Sequence, residues 1–193
     1  MSLFLAGLIV FIGVHSVSIA APAWRTSRVA RYGQRRWKLL YSVVAGVGLI
    51  LLILGYGFAR GHPVVLYTPP VALRHAALLL MLPVFPLLFA AYLPGRLSRL
   101  AKQPMLLAVK LWATAHLLAN GTLVDVLLFS SFLAWAVADR ISLKHRSVAD
   151  AHAVPSAPGR TGNDAFAVIG GLLAYAVLLA WGHRWVIGVS PLG

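Results

Sequence analysis

Hydrophobic residues occur along this chain in long unbroken runs, and polar residues gather in short segments between them. Because a chain in lipid must satisfy its own backbone N–H and C=O groups, apolar runs of roughly 17–25 residues predict membrane-spanning helices. None of the runs alternates as the strands of a membrane barrel do. The pattern predicts an all-α, polytopic helical bundle of about six transmembrane helices in a single domain, residues 1–193. The predicted spans are about residues 2–22, 37–58, 71–93, 105–120, 122–138 and 165–189.

Proline and glycine divide the runs. Pro83 and Pro86 predict a kink in the third span, because proline cannot donate a helical hydrogen bond. Asn120-Gly121 predicts a turn between the fourth and fifth spans. A polar connector over residues 139–164 separates the last two spans. Four glycines in the second span predict close approach of a neighbouring helix: Gly46, Gly48, Gly55 and Gly57.

Composition supports a membrane protein. Hydrophobic residues make up 60% of the chain, charged residues 11%, and mean hydropathy is +0.84. The net charge of +13 comes from cations in the loops, so it predicts membrane orientation and a lipid bilayer as partner, with no nucleic acid. Thirteen of the 17 cations fall in the first, third and fifth loops, which places those loops in the cytoplasm and both termini outside. A cleaved signal peptide is disfavoured, because the first run is followed rather than preceded by arginines.

The chemistry available to this chain is narrow. Cysteine is absent, which excludes disulfides, thiolate metal sites and cysteine nucleophiles. Glutamate is absent as well. The acids are only four aspartates, so a paired-carboxylate or carboxylate-bridged metal site has little material. Candidate chemistry therefore rests on the histidines.

His15 and His116 are the imidazoles that lie well inside predicted spans. An ionisable side chain at such a depth is a functional-site hypothesis by default. Each lies about 12–13 residues into its span, so at ~1.5 Å per residue both reach the interior of a ~30 Å core. Two neutral imidazoles from different helices suit the axial positions of a haem iron. The other interpretation is that they only form hydrogen bonds between helices.

The remaining polar residues favour ordinary membrane roles. His75 and His183 fit interfacial anchors, although with His116 they could form a metal or proton-relay cluster. Lys110 is close enough to a span end to extend its amine to the interface, or else meets a haem propionate or a lipid headgroup. Asp125 fits the first turn of a helix, where the dipole favours an acid.

Several motifs, which together cover nearly the whole chain, form a recognisable pattern. The first half carries His15-Ser16, Leu40-Tyr41-Ser42, Pro69-Pro70, Arg74-His75, Leu80-Met81-Leu82-Pro83 and Ala91-Tyr92-Leu93-Pro94-Gly95. The second half carries Lys102-Gln103-Pro104-Met105-Leu106, Val109-Lys110-Leu111-Trp112-Ala113, Ala115-His116-Leu117-Leu118-Ala119-Asn120-Gly121, Phe129, Ser131-Phe132-Leu133-Ala134-Trp135-Ala136-Val137 and Asp139-Arg140-Ile141-Ser142-Leu143-Lys144.

These motifs resemble the NnrU family of bacterial membrane proteins, and the likeness covers nearly the whole chain. The resemblance implies a bacterial inner-membrane protein linked to denitrification and nitric oxide metabolism. The family's plant relative, the zeta-carotene isomerase, is a haem b enzyme whose axial histidines lie in a His-Ser and an Ala-His element. By similarity these correspond to His15, before Ser16, and to His116, after Ala115. The resemblance thus implies haem b as cofactor. Lys110 is a further candidate cofactor contact, because its position in the span could let its amine meet a haem propionate. The family commonly has Lys-His-Pro where this chain has Lys102-Gln103-Pro104, which argues against a role for an imidazole there.

Three functions follow from these observations. The first is a haem-b-binding membrane protein that acts in nitric oxide metabolism, or in isomerisation or redox chemistry on a lipophilic molecule. The second is a non-catalytic assembly or transport factor whose histidines are structural. A methyltransferase is the least favoured, because related enzymes use Arg-His-Pro and downstream glutamates, and this chain has neither. The sequence decides neither whether the protein is an enzyme nor its oligomeric state.

Overall fold

The computed structural model describes residues 1–145 and 161–192, and the fold is all-α, with 83% of these described residues in helices. Within the described residues, five helical segments, two of them interrupted, are long and apolar enough to cross a membrane: Ser2–Ala20, Gln34–Arg60, Val71–Ala90, Leu123–His145 and Gly162–Ile187. The fourth predicted span, about residues 105–120, forms a shorter apolar helix of 16 residues, Pro104–Ala119. At ~1.5 Å per residue this helix is about 24 Å long, shorter than a ~30 Å hydrocarbon core.

The helices in chain order are α1 (Ser2–Ala20), α2 (Pro22–Tyr32), α3 (Gln34–Arg60), α4 (Val71–Met81), α5 (Val84–Ala90), α6 (Arg96–Ala101), α7 (Pro104–Ala119), α8 (Leu123–His145), α9 (Thr161–Val177) and α10 (His183–Ile187). One π-helical turn, Leu178–Gly182, joins α9 to α10.

Several helix boundaries differ from the sequence prediction. The basic loop before the second span contains α2, and α3 begins at Gln34 rather than at residue 37. The fifth span continues as α8 through residues 139–145, which the sequence assigns to the polar connector. Helix α9 likewise begins at Thr161. Of the connector, residues 146–160 lie outside the described residues. The differences arise because hydropathy marks where lipid contact ends, whereas a polar helix can continue into water.

The chain divides into two compact units. Unit 1 comprises Met1–Thr68 and Asn120–Ser142, and unit 2 comprises Pro69–Ala119 and Leu143–Gly193. In both units many apolar side chains on the long helices are exposed, among them Ile9, Ile50, Phe58 and Leu173. Side chains of this kind contact lipid when such helices lie in a bilayer.

In unit 1, α1 and α3 pack antiparallel with backbones in close approach. A Cβ at Gly55 would lie 2.5 Å from Phe4 Cα, and a Cβ at Gly48 would lie 2.9 Å from Phe11 N. Gly7 of α1 is similarly close to Leu52. The prediction of close approach is therefore confirmed for Gly48 and Gly55. It is wrong for Gly46 and Gly57, where an added Cβ meets nothing within 4 Å, because those residues lie on other faces of α3.

The loop after α3 is held against the start of α8. Leu66 N–H donates to the Gly121 carbonyl and Leu123 N–H donates to the Val64 carbonyl, both at 2.8 Å. Gly121 is required at this turn, since a Cβ there would collide with the Tyr67 carbonyl. The predicted turn at Asn120-Gly121 is therefore hydrogen-bonded to the proline-rich loop after α3. The sequence did not predict this contact.

In unit 2, the predicted kink is confirmed, because α4 ends at Met81 and α5 begins at Val84, after Pro83. Leu82 N–H donates to the Leu79 carbonyl, so the Leu78 carbonyl lacks its usual helical partner four residues later. The Tyr175 hydroxyl of α9 donates to the Leu78 carbonyl at 2.9 Å. A tyrosine from another helix therefore satisfies the backbone at the kink.

The start of α9 also caps α6. The two carboxylate oxygens of Asp164 accept hydrogen bonds from the N–H groups of Arg96 and Leu97, both at 2.9 Å. The Asn163 amide donates to the Pro94 carbonyl at 2.8 Å. A carboxylate is well suited to the exposed N–H groups of a helix start. The first turn of α9 therefore fixes the loop that precedes α6.

Candidate functional site

His15 lies on α1 in unit 1 and is half-buried. Its Nδ1 is 2.7 Å from the Phe11 carbonyl oxygen, one helical turn earlier. A carbonyl can only accept, so Nδ1 must carry the hydrogen, and the imidazole lone pair is then on Nε2. The hydrogen bond therefore fixes both the tautomer and the direction of the ring.

Aromatic rings from three helices surround this imidazole. The ring centroid of His15 lies 4.3 Å from that of Phe11 on α1, 5.3 Å from that of Tyr41 on α3, and 5.8 Å from that of Trp135 on α8. The Trp135 indole packs edge-on, at 88°, and its buried Nε1 has no hydrogen-bond partner in the described residues. His15 therefore lies where the three long helices of unit 1 meet.

Asp139 adds a carboxylate to the same part of unit 1. It follows Trp135 by one turn of α8, and it is only 7% exposed. Sequence reasoning missed Tyr41 and Trp135 as neighbours of His15. The i, i+4 spacing of Trp135 and Asp139 was the available signal, since it places both on one helix face.

His116 lies on α7 in unit 2 and repeats the arrangement found at His15. Its Nδ1 is 2.9 Å from the Trp112 carbonyl oxygen, one turn earlier, and its ring centroid is 5.3 Å from that of Trp112. By the same reasoning Nδ1 carries the hydrogen and Nε2 the lone pair. Ala113 and Ala115 on the same helix are fully buried and belong to tightly packed parts of α7. Both candidate ligands are thus held in the same tautomer by their own helices.

Lys110 is half-buried on α7. His116 follows Lys110 by six positions, which corresponds to ~9 Å along the helix and about 120° around it. The two side chains therefore leave α7 from different faces. Its predicted contact with a cofactor stays a prediction, as does the pairing of His15 in unit 1 with His116 in unit 2.

His75 and His183, which also belong to unit 2, do not form a metal cluster with His116 in the described part of the chain. His75 is exposed on α4, as expected of an interfacial residue. The His183 imidazole lies 2.6 Å from the Val189 carbonyl, where it holds the chain end after the left-handed turn at Gly188. Across residues 1–145 and 161–192, no group of three or more histidine, cysteine, aspartate or glutamate side chains could hold a metal ion. The interpretation of His75, His116 and His183 as a metal cluster is therefore wrong for the described chain.

Asp125 has a larger structural role than a helix start alone. It lies in the first turn of α8 as predicted, but its side chain is buried, 6% exposed. Its carboxylate accepts hydrogen bonds from the hydroxyls of Tyr56 and Thr122, both at 2.5 Å. Nearby, Tyr67 donates to the Asn120 carbonyl, and burial together with the Asp125 charge raises the pKa of Tyr67. Asp125 therefore joins α3 to α8 within unit 1.

Comparison with known proteins gives one informative match. No curated protein and no solved structure is significantly similar to this chain. The family described as NnrU protein matches residues 3–191, nearly the whole chain, including both candidate histidines and their helices. This protein therefore belongs to the NnrU family of membrane proteins.

Proposed function

We propose that this membrane protein binds haem b and that His15 and His116 supply the axial ligands through Nε2. One observation supports the proposal most strongly: both imidazoles donate Nδ1–H to a backbone carbonyl one turn earlier. Histidines that bind metals nearly always donate their second ring nitrogen in this way, which fixes the ring and makes the ligating nitrogen more basic. Two neutral imidazoles also form a donor set that suits haem iron.

When bound, haem b would supply a redox-active iron in an apolar environment. We propose that the protein uses it in nitric oxide metabolism, or in isomerisation or redox chemistry on a lipophilic molecule that enters from the bilayer. The protein's own residues would orient the two imidazoles and shield them from water. Phe11 and Trp112 pack against the two imidazoles, and Tyr41 and Trp135 restrict water around His15. Lys110 is the proposed partner for a haem carboxylate.

Spectroscopy of ligand variants tests the proposal. We would purify the protein, with His15→Ala, His116→Ala and the exposed control His75→Ala, from cells supplied with haem. Loss of either axial ligand should convert a six-coordinate low-spin spectrum into a five-coordinate high-spin one, or abolish haem binding. The control should match the wild type. Added imidazole should restore the low-spin spectrum of a variant that has lost only a ligand. Low-spin spectra in both alanine variants would refute the ligand assignment.

A second candidate function is a non-catalytic assembly or transport factor. The aromatic packing on three sides of His15 favours it, because those contacts hold the imidazole without any metal. In that case His15→Ala and His116→Ala would lower the stability of a colourless protein. Haem uptake by the wild type, measured by titration in detergent, separates the two candidates.

We also propose that the protein lies in the bacterial inner membrane, with its basic loops in the cytoplasm and both termini outside. The steep bias of the cations supports this orientation. Because the chain has no cysteine, single cysteines can report on it directly. A membrane-impermeant maleimide should label Thr68→Cys in spheroplasts and should label Ser27→Cys only after permeabilisation. The reverse pattern would overturn the orientation.

A further inference from the structure

Six cations occur within fourteen residues, on α2 and at the start of α3, and they have few acids to balance them. They are Arg25, Arg28, Arg31, Arg35, Arg36 and Lys38. The first acidic residue of the chain is Asp125, and unit 1 contains only this aspartate and Asp139. Asp125 is bound by Tyr56 and Thr122, and Asp139 is buried. Most of the positive charge on this basic segment, residues 25–38, must therefore be balanced from outside unit 1.

The packing of α1 against α3 places the basic segment at one end of the helix pair. The close contacts join Phe4 to Gly55 and Phe11 to Gly48, so the numbers of facing residues add up to about 59. On this register Ala20, the last residue of α1, lies level with residue 39. Every cation of the segment therefore lies beyond the antiparallel pair. If the pair crosses a bilayer, this position is the level of the lipid headgroups.

Two breaks make α2 a separate element at that level. Ala21 leaves helical geometry before Pro22, and Gly33 has a positive φ of 84° before α3 begins. Helix α2 contains 11 residues, about 16 Å, and it has no buried side chain. A short, exposed, arginine-rich helix between two spans is typical of an element that lies in the membrane interface.

Aromatic side chains accompany the arginines. Trp24 is 47% exposed and packs edge-on against Trp37 of α3, with ring centroids 5.7 Å apart. The Arg28 guanidinium lies 5.3 Å from the centre of the Trp24 ring, and that of Arg31 lies 5.5 Å from the centre of the Tyr32 ring. Tryptophan and tyrosine prefer the headgroup region of a membrane. One guanidinium group can bind two oxygens of a phosphate at the same time. Aromatic stacking restricts the arginine side chains before a phosphate arrives.

We propose that α2 and the first turn of α3 form a binding surface for the phosphate groups of anionic phospholipids. The proposal does not depend on haem. Charge selects the ligand: a lipid with a net negative headgroup balances the arginines, whereas a zwitterionic lipid brings its own cation. Each basic side chain near an anionic surface strengthens binding about fivefold. Loss of three should therefore weaken binding on the order of 100-fold.

Native mass spectrometry of the full-length protein in detergent tests this, with phosphatidylglycerol and phosphatidylcholine as probes. The test variant is Arg25→Gln/Arg28→Gln/Arg31→Gln. The control removes two cations of α6 and the one that follows it, where the Asp164 carboxylate is already present: R96Q/R99Q/K102Q. We expect the wild type to prefer phosphatidylglycerol. The test variant should lose that preference, and the control should keep most of it.

Several outcomes would overturn the proposal. These are equal binding of the two lipids by the wild type, an equal loss in the test and control variants, and displacement of the lipid by millimolar inorganic phosphate, which would indicate a site for a soluble anion. If the glutamine variant fails to fold, R25K/R28K/R31K keeps the charge and decides the matter. It should retain the preference for phosphatidylglycerol, and a folded lysine variant without that preference would refute recognition by charge.

Discussion

Replacing Gly55 by alanine should weaken the packing of α1 on α3. The added Cβ would lie 2.5 Å from Phe4 Cα, whereas carbon atoms in contact lie about 3.5–4.0 Å apart, so the helices must separate by about 1 Å. Overpacking of this kind destabilises a protein by about 1–3 kcal/mol. Alanine is also a better helix former than glycine by about 0.5–1 kcal/mol, which offsets part of that loss.

Gly46 provides the matched control, because it lies on the same helix and an added Cβ there meets nothing within 4 Å. Gly46→Ala should show the helix-propensity gain alone. The difference between the two variants therefore isolates the packing loss, about 1–3 kcal/mol, or roughly 5- to 150-fold in the unfolding equilibrium constant. Gly48→Ala should fall between them, since its Cβ would lie 2.9 Å from Phe11 N.

The assay is reversible unfolding in mixed micelles of a mild detergent and dodecyl sulfate, followed by far-ultraviolet circular dichroism. We expect the midpoint of Gly55→Ala to occur at a lower dodecyl sulfate fraction than that of the wild type. Gly46→Ala should unfold at the same fraction or a higher one. A Gly55→Ala protein as stable as Gly46→Ala would refute the close approach of α1 and α3.

Three further variants test other contacts by the same unfolding assay. Tyr175→Phe should lose about 1–2 kcal/mol, because the Leu78 carbonyl at the proline kink loses its donor; unchanged stability would show that the kink needs no external partner. Asp125→Asn should lose about 1–3 kcal/mol, because an amide offers one acceptor oxygen to two hydroxyl donors; a gain in stability would mean that burial of the carboxylate outweighs those bonds. Asp164→Ala should lower the thermal midpoint and speed proteolysis near Arg96, whereas an unchanged cleavage pattern would contradict capping of α6.

The sequence predicted the membrane spans well because lipid imposes a simple rule on length and polarity. Outside lipid the rule gives no information, which explains why helical segments such as α2 and the end of α8 were missed. Helix α2 has no apolar run, although alanine and arginine are good helix formers. The end of α8 is polar, and its helical geometry continues past the apolar run. Hydropathy thus locates the membrane better than it locates helix ends.

The candidate site was only partly predictable. The two deep imidazoles could be found in the sequence, because histidine in a long apolar run is conspicuous. The neighbours of His15 could not, since Tyr41 and Trp135 belong to helices far apart in the chain and their approach depends on helix rotation. The glycines of α3 show the same limit. Gly46 and Gly48 lie two residues apart in the same apolar run, so the sequence does not distinguish them, but only Gly48 faces α1.

The most direct test of the account is the reduced-minus-oxidised absorption spectrum of the wild-type protein, purified from cells supplied with haem, with the haem content measured in the same sample. Two neutral imidazoles held through their Nδ1–H groups predict a low-spin b-type spectrum with sharp visible bands and about one haem per chain. A folded, colourless protein that takes up no added haem would contradict the central claim.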